Sequence, residues 1–411
     1  MGERERKSWM EMDLEKTNKK ALFALAMGGF GIGMTEFVIM GILPEVANSL
    51  QISIPQAGHF ISAYALGVVV GAPTLTLLSG RWPAHKVLMY LMLWFTIFNT
   101  LSAFSKSYEM LLLTRFLSGL PHGAFFGIGA VVAGKLAKKG KAAQAIAMMF
   151  AGLTVANVIG VPLGTYLGQH YSWGLSFISV GFVGVLTMLS LYLWMPKLER
   201  SSTAGMIKDL KVFKKLELWV IILLTIVGTG GFFAWYSYIA PLVVQVSGHA
   251  ESIVGYVMVI AGSGMVVGNF IGAKMAELFT PMKAVIISLS LMVIALVINS
   301  FIATDPTFIL IWTFVIGTIS FTVSTPIQMA FIRSAKGSEM LGSSMNHSAF
   351  NLGNASGAYF AGLPLAMGYS FTSPSIVGAA MAAAGVLLGI LIVLARRSKR
   401  RRDEKELAMH P

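Results

Sequence analysis

Twelve stretches of apolar residues, separated by short polar segments, run along the chain near 21–43, 59–79, 87–104, 109–133, 143–166, 174–194, 218–240, 253–273, 284–303, 307–331, 341–366 and 375–395. A hydrocarbon core about 30 Å thick takes roughly 20 helical residues to cross. The pattern therefore predicts an all-α integral membrane chain with twelve transmembrane helices. The first run is longer than a signal-peptide core and no small-residue cleavage site follows it, so it reads as a retained helix. Away from the ends of the runs stand one carboxylate, Glu36, and one cation, Arg115.

The second half repeats the first. Pro44 and Pro241 are 197 positions apart, and so are Gly58 and Gly255, Gly67 and Gly264, Gly71 and Gly268, Lys86 and Lys283, Gly140 and Gly337, Asn157 and Asn354, and Gly160 and Gly357. Both halves start on the same side of the membrane, so the repeat is parallel, about an axis along the membrane normal. The expected organisation is a tail at 1–20, a six-helix bundle at 21–194, a basic linker at 195–217, a second bundle at 218–395 and a basic tail at 396–411. Two such bundles suit alternating access to a midplane site between them. Glycines four apart, as in Gly67/Gly71 and Gly264/Gly268/Gly272, let helix backbones approach closely in lipid.

Charge orients this plan. With loops assigned alternately to the two sides, 29 of the 31 Lys and Arg residues fall on one side, leaving Lys106 opposite and Arg115 within a helix. Basic loops stay in the cytoplasm, so both termini are expected there, in a multi-pass protein of the cell inner membrane. The net charge of +13 is then directed at anionic lipid headgroups and topology, not at nucleic acid. The chain is 55% hydrophobic and 12% charged, with a mean hydropathy of +0.73 and no cysteine. Disulfides and thiol chemistry are excluded. No His or carboxylate pair has metal-ligand spacing, so neither a metal nor a cofactor is expected, and an enzyme is disfavoured.

Intramembrane ionisable residues mark functional sites. Glu36 meets the needs of a proton carrier, which must exist neutral or charged and be reached from each side in turn. Its alternative is a structural ion pair. Counting the helical rise from Pro44 puts Glu36 about 12 Å inside its span, and counting from Tyr108 puts Arg115 at about 10 Å. The two could therefore share a network. Burial and a neighbouring guanidinium act in opposite senses on a carboxyl's hold on its proton. His122, two turns deeper, could relay a proton or donate a structural hydrogen bond, and His347 is either structural or substrate-facing. Phe125, Phe126, Trp235 and Tyr236, with Thr325, Gln328, Asn157 and Asn351, offer aromatic faces and a few amides. Such a lining suits a sugar or an amphipathic drug-like molecule.

The runs Thr35–Gly41, Tyr64–Pro73, Arg115 with Gly119 through Gly127, and Thr154–Leu167 resemble a known group. The chain is identified as a member of the major facilitator superfamily, of the twelve-helix drug:proton antiporter type, in the arabinose-efflux permease (AraJ-like) branch. The resemblance implies a monomeric carrier of small molecules and protons. It implies a role for Arg115 in proton-linked energy transduction, and for Gly160, Pro162 and Gly164 as the kink of the exporter signature. The loop after the second helix keeps Arg81, His85 and Lys86. Thr76, Gly80 and Pro83 stand where the superfamily has Gly, Asp and Gly. The expected function is proton-coupled efflux by antiport, one proton per cycle unless His122 also titrates. The alternative is a facilitative carrier for a sugar or nucleoside with Glu36 and Arg115 as a fixed pair.

Overall fold

A computed structural model describes residues 3–52, 54–80, 82–198 and 211–409. Twelve long helices dominate: α1 Glu3–Gly41, α2 Ile54–Ser79, α3 Ala84–Ala103, α4 Tyr108–Leu136, α5 Ala142–His170, α6 Trp173–Trp194, α7 Leu216–Tyr236, α8 Val254–Leu278, α9 Pro281–Ile302, α10 Pro306–Ser334, α11 Glu339–Ala366 and α12 Ser373–Met409. Among the described residues there is no strand. Eleven of these helices are long and apolar enough to cross a membrane; α11, at 28 residues, has the length but not the apolarity. Its Ser343, Ser344, Asn346, His347, Ser348 and Asn351 are all buried, so the polar face turns to protein.

Helix limits follow local chemistry. Ser107 accepts from Met110 N at the start of α4, and Asp305 accepts from Thr307 N and Phe308 N at the start of α10. Such caps satisfy amides that the first turn leaves free. Gly140 and Gly337, 197 apart, both adopt positive φ (81° and 92°) in the turns before α5 and α11. α1 and α12 run beyond the predicted limits at 20 and 396, and Arg396 Nη2 pairs with Glu217 Oε1 at 2.6 Å.

Two helices depart from regularity at proline. α5 contains a π-turn at Ala156–Gly160 just before Pro162. Proline supplies no amide to the carbonyl four residues back, and a π-turn absorbs the mismatch. α10 breaks at Val323, three residues before Pro326.

The repeat is visible in packing. Gly67 and Gly71 bring α2 onto the Phe116 and Leu120 carbonyls of α4, while Gly264 and Gly268 bring α8 onto the Phe314 and Thr318 carbonyls of α10. α11 packs against α2 and α4, and α8 packs against α5; these contacts join the two halves. Thr76 shares a 2.7 Å hydrogen bond with Ser344, and Ser348 donates to the Val69 carbonyl at 3.1 Å. Asn269 donates to Ala147 O at 2.6 Å, and Lys141 and Gln144 both reach Glu277 Oε2, at 3.3 and 3.0 Å. All of these lie toward the side on which both termini emerge. The halves are latched there.

Candidate functional site: a cavity between the halves

Just beyond the latch, both halves line one narrow cavity of about 40 Å³. From the first half come Glu36 and Phe37 on α1, His122 on α4, and Phe150 and Leu153 on α5. The second half adds Phe232, Phe233 and Tyr236 from α7, Met265 from α8, Phe321 and Ser324 from α10, and Asn346, His347, Phe350 and Asn351 from α11. The wall is aromatic with a few polar groups, among which Glu36 is the one carboxylate.

Glu36 is 9% exposed and has no hydrogen-bond partner among the described residues. Arg115 is fully buried and does not line the cavity. Its Nη1 donates to Thr35 Oγ1 at 2.9 Å and its Nη2 to the Thr35 carbonyl at 3.1 Å. Thr35 in turn donates to Asn99 Oδ1 on α3. The guanidinium lies 4.4 Å from the Tyr64 ring centroid and 5.4 Å from that of Phe177, a cation–π seat in the protein interior. Glu36 and Arg115 make no ion pair within 4.0 Å; the cation instead holds the residue next to Glu36.

A polar chain continues from Arg115. Tyr64 OH is 3.1 Å from His122 Nδ1. The His122 ring lies 5.4 Å from that of His347, across the junction of the halves. His347 stacks on Phe126 at 4.6 Å and 15°, and its Nε2 is buried without a partner. Gly123 allows this approach: a Cβ there would crowd Ala72 and the Cβ of His347.

The structure thus brings Glu36, His122, Tyr236 and Asn351 to the cavity wall, with Phe126 immediately behind His347. Other expected lining residues turn away. Phe125 packs over Gly28 of α1. Asn157 donates to Leu153 O at 3.1 Å within α5, beside Gly262. Trp235 is fully buried. Thr325 donates to Asn269 Oδ1 at 3.4 Å. Gln328 donates to Ser343 and accepts from Asn346, one bond behind the wall. Each lies on an expected helix but on a face turned from this cavity, since a rotation of 100° per residue separates wall from core. Gly160 and Gly164 pack on Phe30, Met34 and Val38 of α1, around the π-turn and Pro162. Lys86 is exposed at the start of α3, and Arg81 lies outside the described residues.

Residues missed by sequence reasoning include Thr35, Tyr64, Asn99, Phe150, Phe232, Phe233 and Asn346. A faint signal existed for two of them: Thr35 adjoins Glu36, and Tyr64 is the polar ring of an otherwise apolar run. Among the described residues no cluster of three or more His, Cys, Asp or Glu could hold a metal.

Comparison with known proteins gives a consistent picture. Residues 25–358 match the model of the Major Facilitator Superfamily. The inner membrane transport protein YdhP of Escherichia coli (strain K12) is 41% identical over 367 residues, covering 89% of this chain and 94% of YdhP. AraJ of the same organism is 39% identical over 368 residues, covering 90% and 93%. Among solved structures, the E. coli fucose:proton symporter FucP aligns with a TM-score of 0.73 at 13% identity, over 90% of this chain and 98% of that one. At that identity the likeness concerns the fold alone.

Proposed function

The chain belongs to the major facilitator superfamily of multi-pass membrane transporters, and from that premise we propose that it is a proton-coupled exporter. It works by antiport in the inner membrane with both termini cytoplasmic. The observation that carries this reading is Glu36, a lone carboxylate on the wall of a cavity that both halves build. Arg115, fixed to Thr35 one residue away, is a permanent positive neighbour that does not cap the carboxyl. Glu36 is therefore free to exchange its proton or to meet a cargo group. In the cycle, Glu36 takes a proton from the side opposite the latch, cargo leaves outward, and the proton is delivered inward once the latch opens.

The wall also narrows the cargo. Phe37, Phe150, Phe232, Phe233, Phe321 and Phe350 present faces that suit an amphipathic, drug-like molecule better than a sugar, which needs many paired hydroxyls. The facilitative reading, with Glu36 and Arg115 as a fixed ion pair, has no contact in its favour.

Proteoliposomes with an internal pH dye test the proposal. Wild type should acidify the lumen when cargo moves against the proton, and Glu36→Gln should lower that signal at least about tenfold while leaving cargo exchange measurable. Full proton flux in Glu36→Gln would refute it.

A further inference from the structure

Two residues that line the cavity, adjacent in sequence, each carry a buried side-chain atom without a partner: Asn346 Oδ1 and His347 Nε2. Both residues are buried, at 4% and 6% exposure. An unmatched buried acceptor is unfavourable, and the neighbours show why Asn346 cannot correct it by flipping. The Ser343 carbonyl can only accept, and Gln328 Nε2 donates to it at 3.3 Å and also to Ser343 Oγ. That fixes Gln328 Oε1 as an acceptor toward Asn346. Asn346 must then present its Nδ2 to Gln328, as it does. Its oxygen is left over, held by a chain of assignments that ends on a backbone carbonyl.

His347 is held as firmly. It stacks on Phe126 at 4.6 Å, with Phe150 at 5.9 Å and His122 at 5.4 Å. The Asn346 and His347 backbones belong to one rigid helix, α11. The wall therefore carries a fixed acceptor and, beside it, an imidazole nitrogen of either sense, among side chains that are mainly aromatic.

We propose that Asn346 and His347 are the polar anchor of the cargo site, and that the cargo class is an aromatic or aliphatic amphipath bearing an N–H or O–H donor at one end. The donor meets Asn346 Oδ1, His347 Nε2 takes the second polar contact, and the apolar body lies on the phenylalanines. This deepens the exporter reading by naming what its cargo must carry, and it concerns binding rather than proton coupling.

The test uses purified full-length protein in detergent, without a proton gradient, titrated calorimetrically with three probes of matched shape: 4-phenylbutanol, its methyl ether and 4-phenylbutylamine. The alcohol and amine should bind, and the ether, which lacks a donor, should bind at least about tenfold more weakly. Asn346→Leu should erase the alcohol–ether difference; Asn346→Ala serves the same purpose if the leucine variant does not fold. His347→Phe, which keeps the stack, should weaken the alcohol with little change for the ether. Equal binding of alcohol and ether to wild type, binding of none of the three, or discrimination surviving in the Asn346 variants would overturn the proposal. Glu36→Gln should keep the alcohol–ether difference, so failure of proton coupling and failure of this anchor are separable outcomes.

Discussion

At the scale of single residues, the arrangement around Arg115 explains how a buried cation is tolerated without an anion in contact. Three features share the load: two hydrogen bonds to Thr35, the Tyr64 ring at 4.4 Å and the Phe177 ring at 5.4 Å. Lysine would keep the charge but lose the two-pronged contact. Tyr64 also ties Arg115 to His122, because its hydroxyl is hydrogen-bonded to His122 Nδ1 at 3.1 Å. Tyr64→Phe keeps the ring under the guanidinium and strands the imidazole nitrogen. The expected loss of about 1–3 kcal/mol should appear as a lower melting temperature in detergent. An unchanged melting temperature would mean the contact contributes nothing to the folded state.

At the scale of elements, glycine placement sets which helices approach. A Cβ on Gly71 would overlap the Leu120 carbonyl, and one on Gly268 the Thr318 carbonyl, both of them backbone atoms that cannot rotate away. Gly71→Ala and Gly268→Ala should each destabilise by about 1–3 kcal/mol. Gly58 on α2 has no heavy atom within 4 Å of its Cβ position, so Gly58→Ala should be neutral or stabilising by about 0.5–1 kcal/mol. Thermal unfolding of the three variants checks the contrast. This packing was legible in the sequence, because the glycines recur at 197. A slip of one residue was not: Gly67 and Gly264 keep that spacing, whereas the carbonyls they meet, Phe116 and Phe314, are 198 apart. Side-chain identity changes too freely in α4 and α10 for an ungapped comparison to register such a shift.

At the scale of the whole molecule, part of the junction between the halves is built from small side chains. Ala143 and Ala147 of α5 meet Ala273 and Ala276 of α8, flanked by the Lys141 and Gln144 bonds to Glu277. Flat alanine faces part without disentangling side chains, which suits an interface that opens in each cycle. The Lys141–Glu277 pair is half exposed on the lysine side, at 47%, so it is worth roughly 0.2–1 kcal/mol. Glu277→Ala should shift the balance toward the conformation open on the terminus-bearing side by a factor of about 1.5–5. The chain has no cysteine, so a single cysteine at Ala276, buried at 2%, gives a background-free maleimide readout. Labelling should quicken in the Glu277→Ala background; an unaltered rate would show that the pair does not hold the latch. Thr76 contributes here as well. Its hydroxyl bonds Ser344 across the junction.

The sequence by itself determined the solvent, the number of long helices, the repeat and the isolation of Glu36. Each of these depends on residue type and spacing along one dimension, and the cost of placing polar groups in hydrocarbon leaves little freedom. It also put Arg115 at the depth of Glu36. Only the tertiary structure decided which face of each helix meets the cavity. That choice turned Thr325, Gln328 and Asn157 away, brought Asn346 and His347 in, and gave Arg115 to Thr35 instead of to Glu36. Helix rotation depends on packing against several neighbours at once, and no periodicity read along a nearly uniform apolar run records it.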